Sequence, residues 1–216
     1  MELIDKYFRL NKFLVFTILV VAYYIVIFLS NKLLINDITF YNAYSDQLTY
    51  ERSLQLFHNL KRLSWIGYVY IPVSFLFKAL LVSVVIYSGI ILIKPGIKVL
   101  FRYVWGIVIA SEIAFVLAAI LKFLWFTFFS GNYDLRNISF FYPLSLSNLF
   151  NYNEVDMMWV VPLQSLNLFQ VLYFLLLSYG ISKQEGFNKS IADKAILVSY
   201  LPGFFIWIAF LMFLSL

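Results

Sequence analysis

The fold is decided by the stretch Trp65–Ser130, which reads WIGYVYIPVSFLFKALLVSVVIYSGIILIKPGIKVLFRYVWGIVIASEIAFVLAAILKFLWFTFFS. Its two apolar runs, Tyr68–Ile93 and Tyr103–Phe129, are joined by the short basic turn Lys94–Lys98. About 20 apolar residues at ~1.5 Å each span the hydrocarbon layer of a bilayer, so each run is long enough to cross it. The stretch therefore predicts a transmembrane helical hairpin.

Charged side chains inside these two runs are the first candidates for a functional site. They are Lys78 in the first run and Glu112 and Lys122 in the second. A charge at that depth costs at least about 2.5–3.5 kcal/mol, so each needs a partner, a water-filled cavity or a route to the interface. Lys122 lies near the outer face, where a lysine can snorkel.

The positions of Lys78 and Glu112 leave three interpretations open. At 1.5 Å per residue the two lie ~9 Å apart along the membrane normal, a gap that two long side chains can largely close. In the first, they form a pair that lines a proton or ion path. In the second, they form a structural ion pair that holds the two helices together. In the third, each charge reaches water separately.

The composition supports an integral membrane protein of one domain, residues 1–216. The chain is 63% hydrophobic and 12% charged, whereas soluble domains average about 25% charged residues. It has no cysteine, which excludes disulfides and thiolate metal sites. The net charge of +5 is spread over short loops and forms no basic face, so we expect the lipid bilayer, and not nucleic acid, as the partner.

The apolar runs predict an all-α fold, a polytopic bundle of five transmembrane helices. Their expected ranges are about 13–35, 66–93, 103–129, 159–181 and 195–215. Lysine and arginine concentrate in cytoplasmic loops of membrane proteins. Five spans place nine basic residues on one side, namely Lys6, Arg9, Lys12, Lys94, Lys98, Arg102, Lys183, Lys189 and Lys194. The other side holds five, namely Lys32, Arg52, Lys61, Arg62 and Arg136. We therefore expect a cytoplasmic N-terminus and an outer C-terminus, in a bacterial inner membrane given the bias towards Phe, Tyr, Ile, Leu, Asn and Lys.

The two longer outer connections, 36–63 and 133–159, are expected to contain short amphipathic helices that face partners. In the first, Tyr50, Leu54, Phe57 and Leu60 recur at helical spacing after a possible N-cap at Asp46. A short helix beside a membrane lies along the interface, although a loop packed over the helix ends fits the pattern as well. In the second connection Leu144–Phe150, with Leu146 and Phe150, is apolar enough to dip into the interface or to cap the bundle.

Motifs for catalysis or for a metal are missing from the sequence. His58 is the only histidine, and no His/Asp/Glu cluster has the spacing of metal ligands. There is no glycine-rich phosphate loop and no serine nucleophile motif with a histidine partner. An enzyme would have to use the outer residues Asp134, Arg136, Glu154 and Asp156, which a solvated loop explains equally well. We expect a protein that is not an enzyme and has no cofactor or metal.

The C-terminal part resembles the Yip1-domain membrane proteins. The similarity rests on Leu166-Asn167-Leu168-Phe169 at the start of a helix and on Leu176-Leu177-Ser178-Tyr179-Gly180 at its end, followed by a polar loop and a last helix that begins at Ala195. Asn167, Phe169 and Gly180 are the positions that carry it. The resemblance implies a compact bundle of five helices with a non-enzymatic role.

Two functions remain in view from the sequence. The first is a non-catalytic scaffold, assembly factor or accessory subunit, whose partner is another membrane protein or a second copy of this chain. The alternative is a small transporter or ion-coupled permease that uses a buried Lys78–Glu112 pair.

Overall fold

The computed structural model describes residues 2–45, 48–97, 99–131, 133–151 and 154–215, and these residues are almost entirely helical. The helices, in chain order, are α1 Glu2–Arg9, α2 Lys12–Leu33, α3 Asp37–Tyr44, α4 Tyr50–Leu63, α5 Trp65–Ile93, α6 Phe101–Ser111, α7 Ile113–Phe128, α8 Leu135–Phe140, α9 Met157–Ser165, α10 Leu168–Ser182 and α11 Lys189–Leu214, with a 3₁₀ turn at Leu146–Leu149.

Within the described residues, four helical segments are long and apolar enough to cross a membrane. They are Lys12–Leu33, Trp65–Ile93, Phe101–Phe128 and Lys189–Leu214. These segments confirm that four of the predicted apolar runs are helices of spanning length. The last of them begins at Lys189, six residues before the expected Ala195, because Asn188 caps it by accepting a hydrogen bond from the Ile191 amide at 2.9 Å.

The predicted continuous helix 159–181 is wrong, because the chain breaks into α9 and α10 at Leu166 and Asn167. Asn167 serves both helices. Its carboxamide oxygen accepts from the Gln170 amide at 2.8 Å, which starts α10, and its nitrogen donates to the Gln164 carbonyl at 2.8 Å, which ends α9. The 15 residues of α10 reach ~22 Å at 1.5 Å each, less than the hydrocarbon thickness of a bilayer. A count of five spans stays a prediction.

The segment α6–α7 is the centre of the bundle. In its most apolar stretch of 18 residues, about 61% of the residues are buried. The corresponding share is 17–28% in the other three spanning segments. The side chains at its core belong to one hydrophobic cluster with α2, α5, α10 and α11, which includes Val15, Ile86, Ile90, Val104, Val108, Ala110, Tyr173, Leu177 and Ile196. Glu112, in the middle of this central segment, is therefore held between packed helices.

Helices α5 and α11 meet closely at a point that we call the seam, formed by Gly89 and Val85 on α5 and by Ser199 and Gly203 on α11. A Cβ on Gly89 would lie 2.4 Å from Cβ of Ser199, so only glycine allows this approach. A Cβ on Gly203 would lie 3.4 Å from Val85. Beyond the seam, residues of both helices line a common cavity.

One end of the bundle, the basic end, gathers α1, the turn after α5 and the loop before α11. The Tyr7 hydroxyl donates to the Ala110 carbonyl at 2.9 Å, and Asp5 accepts from the Tyr179 hydroxyl at 2.6 Å. Lys183 lies 3.2 Å from the same carboxylate. The sequence did not predict α1 as a helix. Lys98, which belongs to the turn after α5, lies outside the described residues.

The opposite end, the cap end, carries α3, α4, α8 and the 3₁₀ turn. Helix α3 was not predicted, although Asn36 and Thr39 form a reciprocal capping box at its start. The expected helix in the first connection is present as α4, which begins at Tyr50 with Thr49 in the N-cap position. Asp46, the expected N-cap, lies outside the described residues.

Proline at position 72 shows how the bundle satisfies a broken helical ladder. Pro72 has no N–H, so the carbonyl of Tyr68, four residues earlier, loses its helical donor. The Tyr24 hydroxyl of α2 donates to that carbonyl at 2.6 Å. This hydrogen bond links α5 to α2 at the proline, and α5 continues past Pro72.

Candidate functional site

The structure brings Lys78 and Glu112 together. Lys78 Nζ lies 2.9 Å from Glu112 Oε2, so the lysine stem closes the gap expected along the membrane normal. The two side chains are unequally accessible, with 43% of the Lys78 side chain exposed and only 3% of that of Glu112. The positive charge of the pair is therefore accessible, and the negative charge is buried.

Glu112 sits where the central helical segment is interrupted. It lies between α6 and α7, as the C-cap residue of the first and the N-cap residue of the second, and its amide donates to the Ile109 carbonyl at 3.3 Å. The Phe115 amide donates to the Glu112 carbonyl at 3.0 Å. Both hydrogen bonds join residues three apart, as in a 3₁₀ helix, and a 3₁₀ stretch inside a longer helix often marks a functional hinge.

Two aromatic rings lie close to the Lys78 ammonium. The ammonium lies 3.7 Å from the centre of the Phe115 ring and 5.3 Å from that of Tyr173. These rings contact each other, with their centres 4.9 Å apart. A cation over an aromatic face gains about 0.5–2 kcal/mol, so the rings hold the ammonium in place without neutralising it.

Behind the pair, two buried oxygen atoms lack a hydrogen-bond partner among the described residues. They are Oε1 of Glu112 and the hydroxyl of Tyr173. Buried polar atoms in native structures are nearly always hydrogen-bonded, so an exception calls for an explanation such as a bound water, an ion or a catalytic role. The carboxylate thus has one oxygen committed to Lys78 and one that is not.

The pair lies in a cavity of about 1310 Å³, which we call the pair cavity. This exceeds the ~300–1,000 Å³ of typical small-molecule sites. Its lining runs from Asn31, Ser64 and Gly67 at the cap end, past Lys78, to Val85 on α5. The walls come from α2, α5, α9, the start of α10 and α11, and they are largely aliphatic and aromatic, with Val73, Phe77, Leu81, Val85, Phe204 and Trp207 among them.

A second group of polar side chains faces the cavity beside the helix break. The Gln170 amide nitrogen donates to the Tyr200 hydroxyl at 2.6 Å. Asn167 lies at the break between α9 and α10. An extended segment pairs with the backbone at this break: the Leu146 amide donates to the Leu166 carbonyl at 3.0 Å, and the Leu168 amide donates to the Leu144 carbonyl at 3.1 Å. Backbone that leaves the helical form at membrane depth is tolerated where it is covered by protein or lines a cavity.

Tyr142, in the loop after α8, also lines this cavity. Burial, and then the negative charge of Glu112, raise its pKa to about 12. Its phenol is therefore protonated at neutral pH and adds another neutral hydroxyl to the lining.

The other residues singled out in the sequence lie away from the pair. Lys122 is half-buried on α7 and makes no ion pair within the described part of the chain. Tyr50, Leu60, Leu146 and Phe150 are exposed, whereas Leu54 and Phe57 are half-buried. The Phe57 ring packs against Phe40 of α3 with centres 5.6 Å apart, so part of the expected partner face is covered by the chain itself.

The three positions of the family-like pattern have structural roles. Asn167 joins α9 to α10, and Phe169 is half-buried. A Cβ on Gly180 would lie 2.5 Å from Ile107, so this glycine allows α10 to pack on α6. Among the four outer polar residues considered for catalysis, Asp134 caps α8 by accepting from the Asn137 amide at 2.7 Å.

Sequence reasoning missed Phe115, Gln170, Tyr173 and Tyr200, which complete the site. A faint signal was present, because Gln170, Tyr173 and Tyr200 are polar positions within otherwise apolar helices. Their convergence on Lys78 and Glu112 depends on how five helices pack, which spacing along one helix does not reveal.

A comparison with protein-family models, with curated proteins and with solved structures finds no match to this chain.

Proposed function

We propose that this protein is a small membrane transporter that binds its substrate in the pair cavity. The observation that carries the proposal is the Lys78–Glu112 pair in the wall of a large cavity, with the lysine accessible and the carboxylate hidden. Ionisable residues inside a membrane segment are expensive and most often belong to substrate or ion pathways.

Two interruptions of the helices beside the cavity support this function. One lies at Glu112 between α6 and α7, and the other lies at Leu166 and Asn167 between α9 and α10. Transporters commonly build their substrate sites from broken helices near the middle of the membrane, because freed backbone groups and helix ends can then contact the substrate. A rigid helical bundle that only fills the membrane has no need of such breaks.

The proposed orientation has the N-terminus in the cytoplasm and the C-terminus outside, in a bacterial inner membrane. It rests on the excess of lysine and arginine at the basic end, where Lys94 donates to the Gly186 carbonyl and Lys183 pairs with Asp5.

Transport is tested with the purified full-length chain in phospholipid liposomes. The liposomes are incubated with a uniformly ¹³C-labelled metabolite and lipid extract, and the contents and the inner leaflet are analysed by mass spectrometry. We expect at least one compound to accumulate in the protein-containing liposomes more than in empty ones. The rate of uptake of this compound should fall at least tenfold in Glu112→Gln and in Lys78→Met. Lys122→Met, a lysine of the same membrane region outside the cavity, is the matched control and should transport normally.

Two results would contradict the proposal. One is the absence of any enrichment over empty liposomes when the protein is correctly folded by size-exclusion chromatography. The other is a flux that Glu112→Gln leaves unchanged.

A second candidate function is a non-enzymatic scaffold, assembly factor or accessory subunit, related in outline to the Yip1-domain proteins. It is favoured by the exposed apolar side chains Leu56, Leu60 and Leu63 on α4, which recur at helical spacing on the surface of the cap end. Such a surface suits a membrane-protein partner or a second copy of the chain.

Affinity purification from a mild detergent extract tests this second function. A stable partner should be recovered with the native chain and lost when residues 50–63 are replaced by a Gly-Ser linker of equal length. The matched control replaces Leu3 and Ile4, two exposed apolar residues of the basic end, and should keep the partner. A monomer without a partner would count against this function.

A further inference from the structure

We infer that the substrate of the pair cavity is a membrane-dissolved anionic amphiphile, whose carboxylate or phosphate head binds Lys78 while its hydrocarbon chain extends sideways into the lipid. This inference rests on the proposed binding of a substrate in the cavity and names the class of that substrate. It is carried by three independent features of the cavity: the sign of its accessible charge, the direction of its opening and the position of its hydroxyl groups.

The accessible charge of the cavity is positive. Lys78 has three N–H donors, one of which is used by Glu112 Oε2 at 2.9 Å. Its side chain is more than ten times as exposed as that of Glu112 in fractional terms, 43% against 3%. A ligand entering the cavity therefore meets an ammonium with free donors, and charge-assisted hydrogen bonds to an anionic oxygen are about twice as strong as neutral ones.

The side wall of the cavity faces the apolar layer. Phe77, adjacent to Lys78 on α5, is 60% exposed, and Trp207 on α11 is 50% exposed, although both line the cavity. Val73 and Leu81, one turn to either side along α5, are exposed as well. These residues lie within two of the spanning segments, so the opening between α5 and α11 gives onto lipid. A hydrocarbon chain can leave the cavity by that route without meeting water.

Two tyrosine hydroxyl groups belong to residues that line the same cavity as Lys78. Tyr200 accepts a hydrogen bond from Gln170 at 2.6 Å, and its own proton has no acceptor in the described structure. Tyr142 lines the same cavity as a protonated phenol. One ammonium and two neutral hydroxyls provide donors for the several oxygen atoms of a carboxylate or phosphate.

The same features argue against other ligand classes. A quaternary ammonium would approach an exposed lysine of the same sign, and the buried Glu112 could not reach it. A small hydrated anion would leave the aliphatic and aromatic wall of a 1310 Å³ cavity without a partner. The combination of a cationic end and a lipid-facing wall fits an amphiphile best.

Native mass spectrometry of the full-length protein in detergent tests the inference. The probes are palmitate and palmitoyl lysophosphatidate as the two anionic head groups, with hexadecanol and hexadecyltrimethylammonium as uncharged and cationic amphiphiles of similar chain length. Acetate and inorganic phosphate serve as head groups without a chain. We expect one bound palmitate or lysophosphatidate per chain, at least tenfold tighter than the other four probes, and the tighter of the two identifies the head group.

Three variants locate the binding site. Lys78→Gln should weaken binding of the anionic amphiphile at least tenfold, and Lys122→Gln should leave it unchanged. Glu112→Gln should bind the anion as tightly as the native chain or more tightly, because the carboxylate that competes for Lys78 is gone. Each variant is checked for folding by its elution from a size-exclusion column.

The inference is overturned if the cationic amphiphile binds as tightly as the anionic ones, if the head groups without a chain bind equally well, or if Lys78→Gln has no effect. This experiment is separable from the transport assay. Amphiphile binding without flux would refute transport and keep the inference, whereas flux that depends on Lys78 without amphiphile binding would refute the inference alone.

Discussion

Replacing Lys78 by methionine should destabilise the protein far more than replacing Glu112 by glutamine. Methionine keeps the apolar stem of the lysine and removes only its charge, which leaves the carboxylate of Glu112, 3% exposed, without a counter-charge. Breaking a buried pair in this way costs about 3–5 kcal/mol. Glu112→Gln leaves Lys78 unpaired instead, but that side chain is 43% exposed and keeps the Phe115 ring, so we expect about 1 kcal/mol, as for an exposed pair.

The double variant Lys78→Met/Glu112→Gln should regain about 2–4 kcal/mol relative to Lys78→Met alone, because no unpaired buried charge is left. The free energy of unfolding is measured by SDS titration in dodecylmaltoside micelles, followed by the fluorescence of the five tryptophans. Lys122→Met is the control for the loss of a lysine from this region and should change stability little. Equal losses in the two single variants, or a double variant as unstable as Lys78→Met, would refute the reasoning from unequal exposure.

Three further predictions concern the packing of the helices around the cavity and at the basic end. Gly89→Ala should destabilise the seam by about 1–3 kcal/mol in the same unfolding assay, because its Cβ would lie 2.4 Å from Ser199. Asn167→Ala should cost about 1–2 kcal/mol in that assay, through loss of the cap that starts α10. At the basic end, the hydrogen bond from Tyr179, followed by that from Lys183, lowers the pKa of Asp5 from its usual 3.8. The contact of Asp5 therefore stabilises the docking of α1 fully above pH 3.8, and this stabilisation is lost as the pH falls through the lowered pKa. Trypsin cleavage at Arg9 should therefore accelerate at neutral pH in Asp5→Asn.

Each of these predictions has a matched control. Gly67→Ala lies on the same helix as Gly89 and its Cβ meets nothing within 4 Å, so equal losses in the two variants would contradict the account of the seam. Asn167→Asp keeps the capping oxygen and should retain more stability than alanine. Glu2→Gln changes a charge of α1 that makes no ion pair in the described structure, and cleavage as fast as in Asp5→Asn would show that the Asp5 contact does not hold the helix.

The sequence predicted the apolar helices well and the site only in part. Runs such as Trp65–Ile93 are long and uniformly apolar, which leaves a helix as the only satisfactory state of the backbone in lipid. The break at Asn167 was missed because the polar residues beside it, Gln164, Ser165 and Gln170, were included in one predicted helix with the apolar residues on either side. Its cause is a pairing with Leu144 and Leu146, some twenty residues away in sequence.

The site, like the helices, could be predicted from nearby residues only in part, and the rest depends on contacts between residues that are distant in sequence. Lys78 and Glu112 were conspicuous because charge is rare in an apolar run, but their contact was one of three open interpretations. What decided it was the interruption at Glu112, together with the rings of Phe115 and Tyr173 that receive the ammonium. The unequal exposure of the two charges is a property of the packed bundle, and no pattern along a single helix contains it.

The accessibility of single cysteines tests most directly whether the pair cavity exists and admits solutes. The native chain has no cysteine, so Ser74→Cys and Ser83→Cys can each be labelled alone with a water-soluble maleimide in liposomes. Both serines lie on α5 and donate to their own helix, at 3.0 Å to Ile71 and 2.5 Å to Ala79 respectively. Ser74 lines the cavity whereas Ser83 is fully buried. We predict that Ser74→Cys reacts at least tenfold faster than Ser83→Cys, and equally slow labelling at the two positions would contradict the cavity.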